Sequence, residues 1–158
     1  MTSPEKIISS LGLVPHPEGG YYREVHRSAV PLGNIPGYPA ERVASTAIYF
    51  LLTAGDVSAF HRVRSEEIWI HLDGEPLDLV VLADNAETHT LAGRGKGRYL
   101  AVVPPGAIQA ARSTGEWSLT ACIVAPGFDF ADFEMPARGE LLATHPRHAD
   151  LIRRFTRP

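Results

Sequence analysis

Short runs of alternating or wholly apolar residues recur along the middle of the chain, each closed by turn residues. They cover Tyr21 to Arg27, Ser45 to Leu52, Val57 to Arg62, Glu67 to Leu72, Leu77 to Leu82, Glu87 to Leu91, Arg98 to Val103, Ile108 to Ser113 and Ser118 to Val124. Period-two alternation with glycine, proline and aspartate between the runs predicts an all-β barrel or sandwich. Two stretches follow a helical period instead. Ile7, Ile8 and Leu11 share one face of a predicted helix over Pro4 to Leu11, with Ser3 placed to cap it, and a second helix is expected over Pro146 to Phe155. Residues 28 to 42, rich in proline and glycine, read as a long loop that caps the barrel mouth or reaches a neighbouring subunit. The glycine-rich GRGKGR stretch from Gly93 to Arg98 reads as an exposed hairpin loop.

Strand phase turns these runs into a candidate cavity, because residues two apart share a face. His61 and Val63 share one; Glu67, Trp69 and His71 share another, leaving Ile68, Ile70 and Leu72 outward. Gln109 is flanked on its own face by the small Ala107 and Ala111, an arrangement that leaves room for a ligand. An interior face bearing a carboxylate, an indole, an imidazole and an amide suits a polar cavity. Core packing is the competing reading for Trp69 and His71. The segment HPEGGYYRE adds His16, Glu18, Tyr22 and Arg23 beside a double glycine that permits close backbone approach. Arg23 is suited to a carboxylate or phosphate through paired hydrogen bonds, or else to a surface ion pair. Which face of this strand looks inward is open. Phe128, Phe130 and Phe133 are read mainly as closing the core at one end.

Several of these residues fall in a recognisable spacing. Gly55, His61, Val63, Glu67 and Gly74 resemble the first signature of the cupin superfamily, with Val63 where a second histidine belongs. Pro104, Gly106 and Gln109 resemble the second signature, with Gln109 in place of histidine. The blocks LGLVPHPEGGYYREVHRS, STAIYFLL, FHRVRSEEIWIHLDGEPL and APGFDFADFEM, spanning residues 11 to 135, resemble an uncharacterised branch of single-domain cupin-like proteins. The resemblance implies one cupin domain over residues 1–158: a double-stranded β-helix, or jelly-roll, barrel with short N- and C-terminal helices. It also implies a homodimer and a small-molecule ligand.

Two departures from the ligand pattern divide the functional expectations. One is a metal-independent isomerase- or epimerase-like enzyme on a sugar nucleotide or other small polar substrate. In it His61 is the base, Glu67 its partner or second acid, and Tyr22 a proton donor, while Trp69, His71, Gln109, Arg23 and Glu18 contact substrate. Imidazole titrates near working pH, which suits a general base. Another is a metal enzyme holding Fe, Mn, Ni or Zn through His61, Glu67 and Gln109, with His71 as a further candidate, although an amide is a weak ligand beside imidazole. The third is a non-catalytic metabolite-binding protein. Composition narrows the partners. The chain has 158 residues and a formal charge of −3, its 15 basic residues are scattered, and its N-terminus has no apolar signal region. These features argue against nucleic-acid and membrane partners and for a cytoplasmic protein. A lone cysteine, Cys122, is expected as an inert buried thiol.

Overall fold

The computed structural model describes residues 2–158, and strands dominate it. A six-stranded antiparallel sheet runs β1 (Val14–Pro15), β2 (Tyr21–Arg27), β5 (Thr46–Thr53), β12 (Trp117–Ala125), β7 (Glu66–Gly74) and β10 (Leu100–Val103). A four-stranded sheet runs β6 (Val57–His61), β11 (Ile108–Ser113), β8 (Leu77–Leu82) and β9 (Ala86–Leu91). The two face each other as a jelly-roll barrel. Each strand expected from alternation is present.

Alternation sorts the side chains into three apolar clusters. Inward residues of both sheets, among them Phe50, Leu52, Trp69, Leu79, Val81, Leu91, Val103 and Ala111, fill the lower barrel. Ile7 and Leu13 from α1 (Pro4–Leu11) and the turn after it pack on Leu51 and cover part of the outer face of the large sheet. Phe60, Val80, Leu82 and Ala110 point outward from the small sheet and meet Leu141, Ile152 and Phe155 of the C-terminal segment. That segment departs from expectation. It holds α2 (Arg138–Thr144), a 3₁₀ turn at Pro146–His148 and α3 (Ala149–Arg154), rather than one helix over 146 to 155. His145, with φ −132° and ψ 57°, breaks the helical path between α2 and the turn.

The long loop is also more ordered than its composition implies. β3 (Pro31–Gly33) pairs with β4 (Arg42–Val43). The buried Arg42 donates through Nη1 to the Gly127 carbonyl (3.1 Å) and lies 3.3 Å from the Asp132 carboxylate. Ser65 donates to the Pro126 carbonyl at 2.6 Å. The Arg42 contacts tie the loop to the segment that carries Phe128, Phe130 and Phe133, and Ser65 anchors the start of that segment to the barrel. A buried charge retained with its partner is costly to break, because the survivor cannot be solvated.

Candidate active site

One end of the barrel holds a cavity of about 580 Å³, a size suited to a small organic ligand. Its polar floor includes Glu18, His61 and Glu67, and its walls include His16, Tyr22, Phe128, Phe130 and Phe133.

The turn from His16 to Gly20 sets Glu18 in place. His16 N–H donates to the Gly20 carbonyl (2.9 Å), Gly20 N–H to Asp56 Oδ2 (2.8 Å) and Ala59 N–H to the Glu18 carbonyl (2.8 Å). The double glycine is required by backbone contact with the barrel, not with a ligand. Gly19 has φ +106°, and a Cβ there would sit 2.0 Å from the Val57 carbonyl oxygen; one on Gly20 would sit 2.8 Å from that of Leu51. The turn is thereby pressed against β5 and β6, beside His61.

His61 ends β6 and is buried. Its Nδ1 lies 2.7 Å from the Ala59 carbonyl oxygen, and its Nε2 lies 2.9 Å from Glu18 Oε2. With Glu18 ionised both partners are acceptors, so both nitrogens carry protons and the ring is an imidazolium. Burial opposes that charge, but the Glu18 carboxylate, with help from Glu67 and the Ala59 carbonyl, outweighs it and raises the His61 pKa to about 9. Glu18 responds in the opposite sense. Burial favours its neutral form, yet the His61 charge and hydrogen bond hold its pKa below the ordinary value.

Glu67, on β7, has a different environment. Burial, reinforced by the Glu18 charge, raises its pKa to about 7 against the pull of His61 and a hydrogen bond from Gln109. Gln109 Nε2 donates to Glu67 Oε2 at 2.7 Å, while Gln109 Oε1 accepts from Trp69 Nε1 at 2.8 Å. His16 completes the group as a neutral ring. Its Nδ1 accepts from the Glu18 N–H (3.1 Å), and burial lowers its pKa. Tyr22 packs edge-on to it at 4.5 Å between centroids, and Phe133 lies 5.7 Å from both His16 and His61.

Of the residues expected in the pocket, Glu18, Tyr22, Arg23, His61 and Glu67 line it, whereas Trp69, His71 and Gln109 do not. The last three point into the barrel as phase requires, but at levels where it is filled. Trp69 packs on Phe50 within the apolar core, and Ala107 and Ala111 belong to that cluster, so the space inferred beside Gln109 is occupied. His71 donates from Nε2 to the Glu75 carbonyl at 3.0 Å. Tyr22 and Glu24 are the inward members of β2. Tyr21 packs outside against the α1 cluster, and Arg23 reaches the rim, where Nη1 donates to the Leu11 carbonyl. The phenylalanines read as core closure form a cavity wall instead. His16, Thr46 and Cys122 also line the cavity; the HPEGG block was the one signal that pointed to His16. Burial pushes the Cys122 thiol well above its ordinary pKa, which keeps it inert.

The expected metal set does not fit this arrangement. Both His61 nitrogens are committed as donors, and the Gln109 oxygen, its one ligating atom, is turned to the Trp69 N–H. Among the described residues, no three His, Cys, Asp or Glu side chains converge as metal ligands.

A small antiparallel jelly-roll with an acid/base cluster at the floor of one open end defines a pocket protein of the cupin type. The chain belongs to the cupin superfamily family DUF985, whose profile matches residues 5–136. It is similar to a hypothetical protein from Leishmania major (34% identity, TM-score 0.92), covering 99% of this chain and 100% of that one. It is likewise similar to a protein from Shewanella oneidensis (33% identity, TM-score 0.91, 100% and 99% covered). A cupin-2 domain from Rhodospirillum rubrum shares the fold alone, at 15% identity and TM-score 0.58 over 90% of this chain and 80% of that one. No curated protein matches the chain.

Proposed function

We propose that the cavity is the active site of a metal-independent isomerase- or epimerase-like enzyme acting on a small polar carbonyl compound, with a sugar nucleotide as one candidate class. The observation that carries this reading is a buried acid/base cluster in the cavity floor, with His61 held between the Ala59 carbonyl and Glu18 and with Glu67 held by Gln109 through one oxygen. Glu67 titrates at about 7, close to operating pH, while His61 stays cationic to about 9. Glu67, rather than His61, is therefore the base, since the imidazolium has no nitrogen free to take a proton.

In the proposed reaction the C–H bond beside the substrate carbonyl breaks. Its proton passes to Glu67 and the electron pair moves into the carbonyl, giving an enolate. The fixed imidazolium favours this developing anion in a low-dielectric site, without reorganising at the moment of reaction. Return of the proton to a different position, or from a different side, completes isomerisation. Tyr22, separated from Glu67 in the sheet by β5 and β12, is the candidate donor for a second side. The aromatic wall suits the apolar face of a sugar or planar ring. Arg23 at the rim suits an anionic substituent such as a phosphate, whereas Arg27 is already paired with Glu24 at 2.8 Å.

The experiment is a screen of sugar nucleotides and keto acids in deuterated water with chelator-treated protein, read by incorporation of deuterium next to the carbonyl. Glu67→Gln should abolish incorporation on any substrate found. Incorporation that requires added metal, or that survives Glu67→Gln, would overturn the proposal. Binding without exchange would leave a metabolite-binding protein.

We also assign a homodimer to the uncovered part of the large sheet. Leu72, Leu100 and Val102 are about half exposed, at 46%, 49% and 48%, and adjoin the outward Ile68 and Ile70 on β7 beside the edge strand β10. The helix α1 covers the opposite part of this sheet and leaves this stripe bare. No helix among the described residues is long and apolar enough to cross a membrane. A cytoplasmic location belongs to the same reading.

A further inference from the structure

We propose that Trp69 and Gln109 are positioning residues forming a two-step relay: the indole N–H fixes the orientation of the Gln109 amide, which in turn fixes the Glu67 carboxyl in the cavity floor. The inference rests on the reading of Glu67 as the reacting carboxyl and assigns a role to two residues outside the cavity wall.

Chemistry fixes what each of these groups is able to do. An indole N–H donates and never accepts, whereas an amide does both through opposite ends. Trp69 Nε1 lies 2.8 Å from one end of the Gln109 amide, which must therefore be the oxygen. The NH₂ end is left 2.7 Å from Glu67 Oε2 and must donate to it. Gln109 is fully buried and Trp69 nearly so, away from bulk solvent. Phase explains the reach. Glu67 and Trp69 are two apart on β7 and share its inner face, and Gln109 on β11 of the opposing sheet spans both. The same strand pairing sets Gln109 opposite His61 across β6 and β11.

The relay has a chemical consequence. An amide N–H favours the carboxylate, the form that accepts a substrate proton. An amide oxygen in the same place would instead favour the protonated acid. Without the indole donor the amide can turn its oxygen to a protonated Glu67 as well as its NH₂ to an ionised one, and the bias toward carboxylate is lost. The glutamine at the expected metal-ligand position thus serves the carboxylate directly. Glu67 Oε2 is held, and Oε1, which has no protein partner among the described residues, is left for the cavity.

The test reads the carboxyl itself by ¹³C NMR of labelled glutamate, with Glu67→Gln used for assignment. Benzothienylalanine placed at residue 69 keeps the indole's shape and lacks the N–H; Trp69→Phe is the genetically encoded counterpart. Either should move the Glu67 midpoint upward by about one pH unit, leaving roughly fivefold less carboxylate at pH 7. Gln109→Leu should also raise it. The Trp69→Phe change should then add nothing in the Gln109→Leu background, because the indole acts only through the amide. A midpoint unmoved by the isostere, or effects of the two substitutions that simply add, would overturn the relay. Failure of the base assignment gives a different result: the midpoint shifts as described, supporting the relay, while Glu67→Gln retains deuterium exchange on an identified substrate.

Discussion

Glu18→Gln removes the one carboxylate in direct contact with His61 while keeping its shape, and its effect follows from the geometry. Opposite charges 2.9 Å apart attract by about 6 kcal/mol at an effective dielectric of about 20. Burial of the imidazolium opposes this, and the balance leaves His61 titrating at about 9 instead of 6.5, a preference for the cation of about 3 kcal/mol. Without Glu18 the opposing effect of burial dominates, and His61 should titrate below 6.5. The folded protein then loses a stabilisation of roughly that 3 kcal/mol rather than a larger sum, since His61 escapes an unpaired charge by shedding its proton. The sign with pH follows from the raised pKa. The His61 contribution is complete below 6.5 and is lost as pH rises through about 9, so the gap between wild type and variant should narrow above pH 9. Long-range ¹H–¹⁵N NMR of the imidazole across pH 5 to 10 measures the titration, and urea unfolding measures the stability. A wild-type His61 titrating near 6.5, or one whose midpoint survives Glu18→Gln, would refute the reasoning.

Other consequences are open to test. Glu67 has a folded pKa of about 7 against an ordinary 4.5, so its contribution is complete below 4.5 and lost as pH rises through about 7. Urea midpoints should fall over that interval, and Glu67→Gln should flatten the fall. Gly19→Ala sets a Cβ against the Val57 carbonyl at a positive φ and should lower the melting temperature by several degrees, a loss above about 1 kcal/mol; an unchanged melting curve would show that the turn yields freely. Leu100→Glu with Val102→Glu should give a monomer by light scattering after gel filtration if the bare stripe is the dimer contact, with the wild type dimeric at the same concentration.

Much of this was written in the sequence, and the limits of that legibility have physical causes. Alternation identified the long strands because a half-buried strand must obey period two over five or more residues. β1, β3 and β4 are two or three residues long, too short to show a period. α2 escaped because RGELLAT is one short amphipathic stretch without a side-chain cap. Phase placed His61, Glu67, Trp69, His71 and Gln109 on inward faces, but phase reports a face and not a depth along the barrel. Phase alone therefore admits Trp69 and His71 to a cavity that ends above them, and Gln109 to a ligand position that the indole closes. The Glu18–His61 pair lay beyond pattern altogether. It depends on a turn pressed against β5 and β6 by two glycines, a contact made across dozens of residues.

One buried carboxyl is poised at neutral pH beside an imidazolium that stays charged to about pH 9. The most direct test is ¹³C titration of Glu67 in the wild-type protein, with His61 followed in the same samples. The Glu67 midpoint should fall near 7, with His61 remaining protonated through that transition to about 9. A Glu67 midpoint near 4.5 with His61 titrating near 6.5 would contradict it.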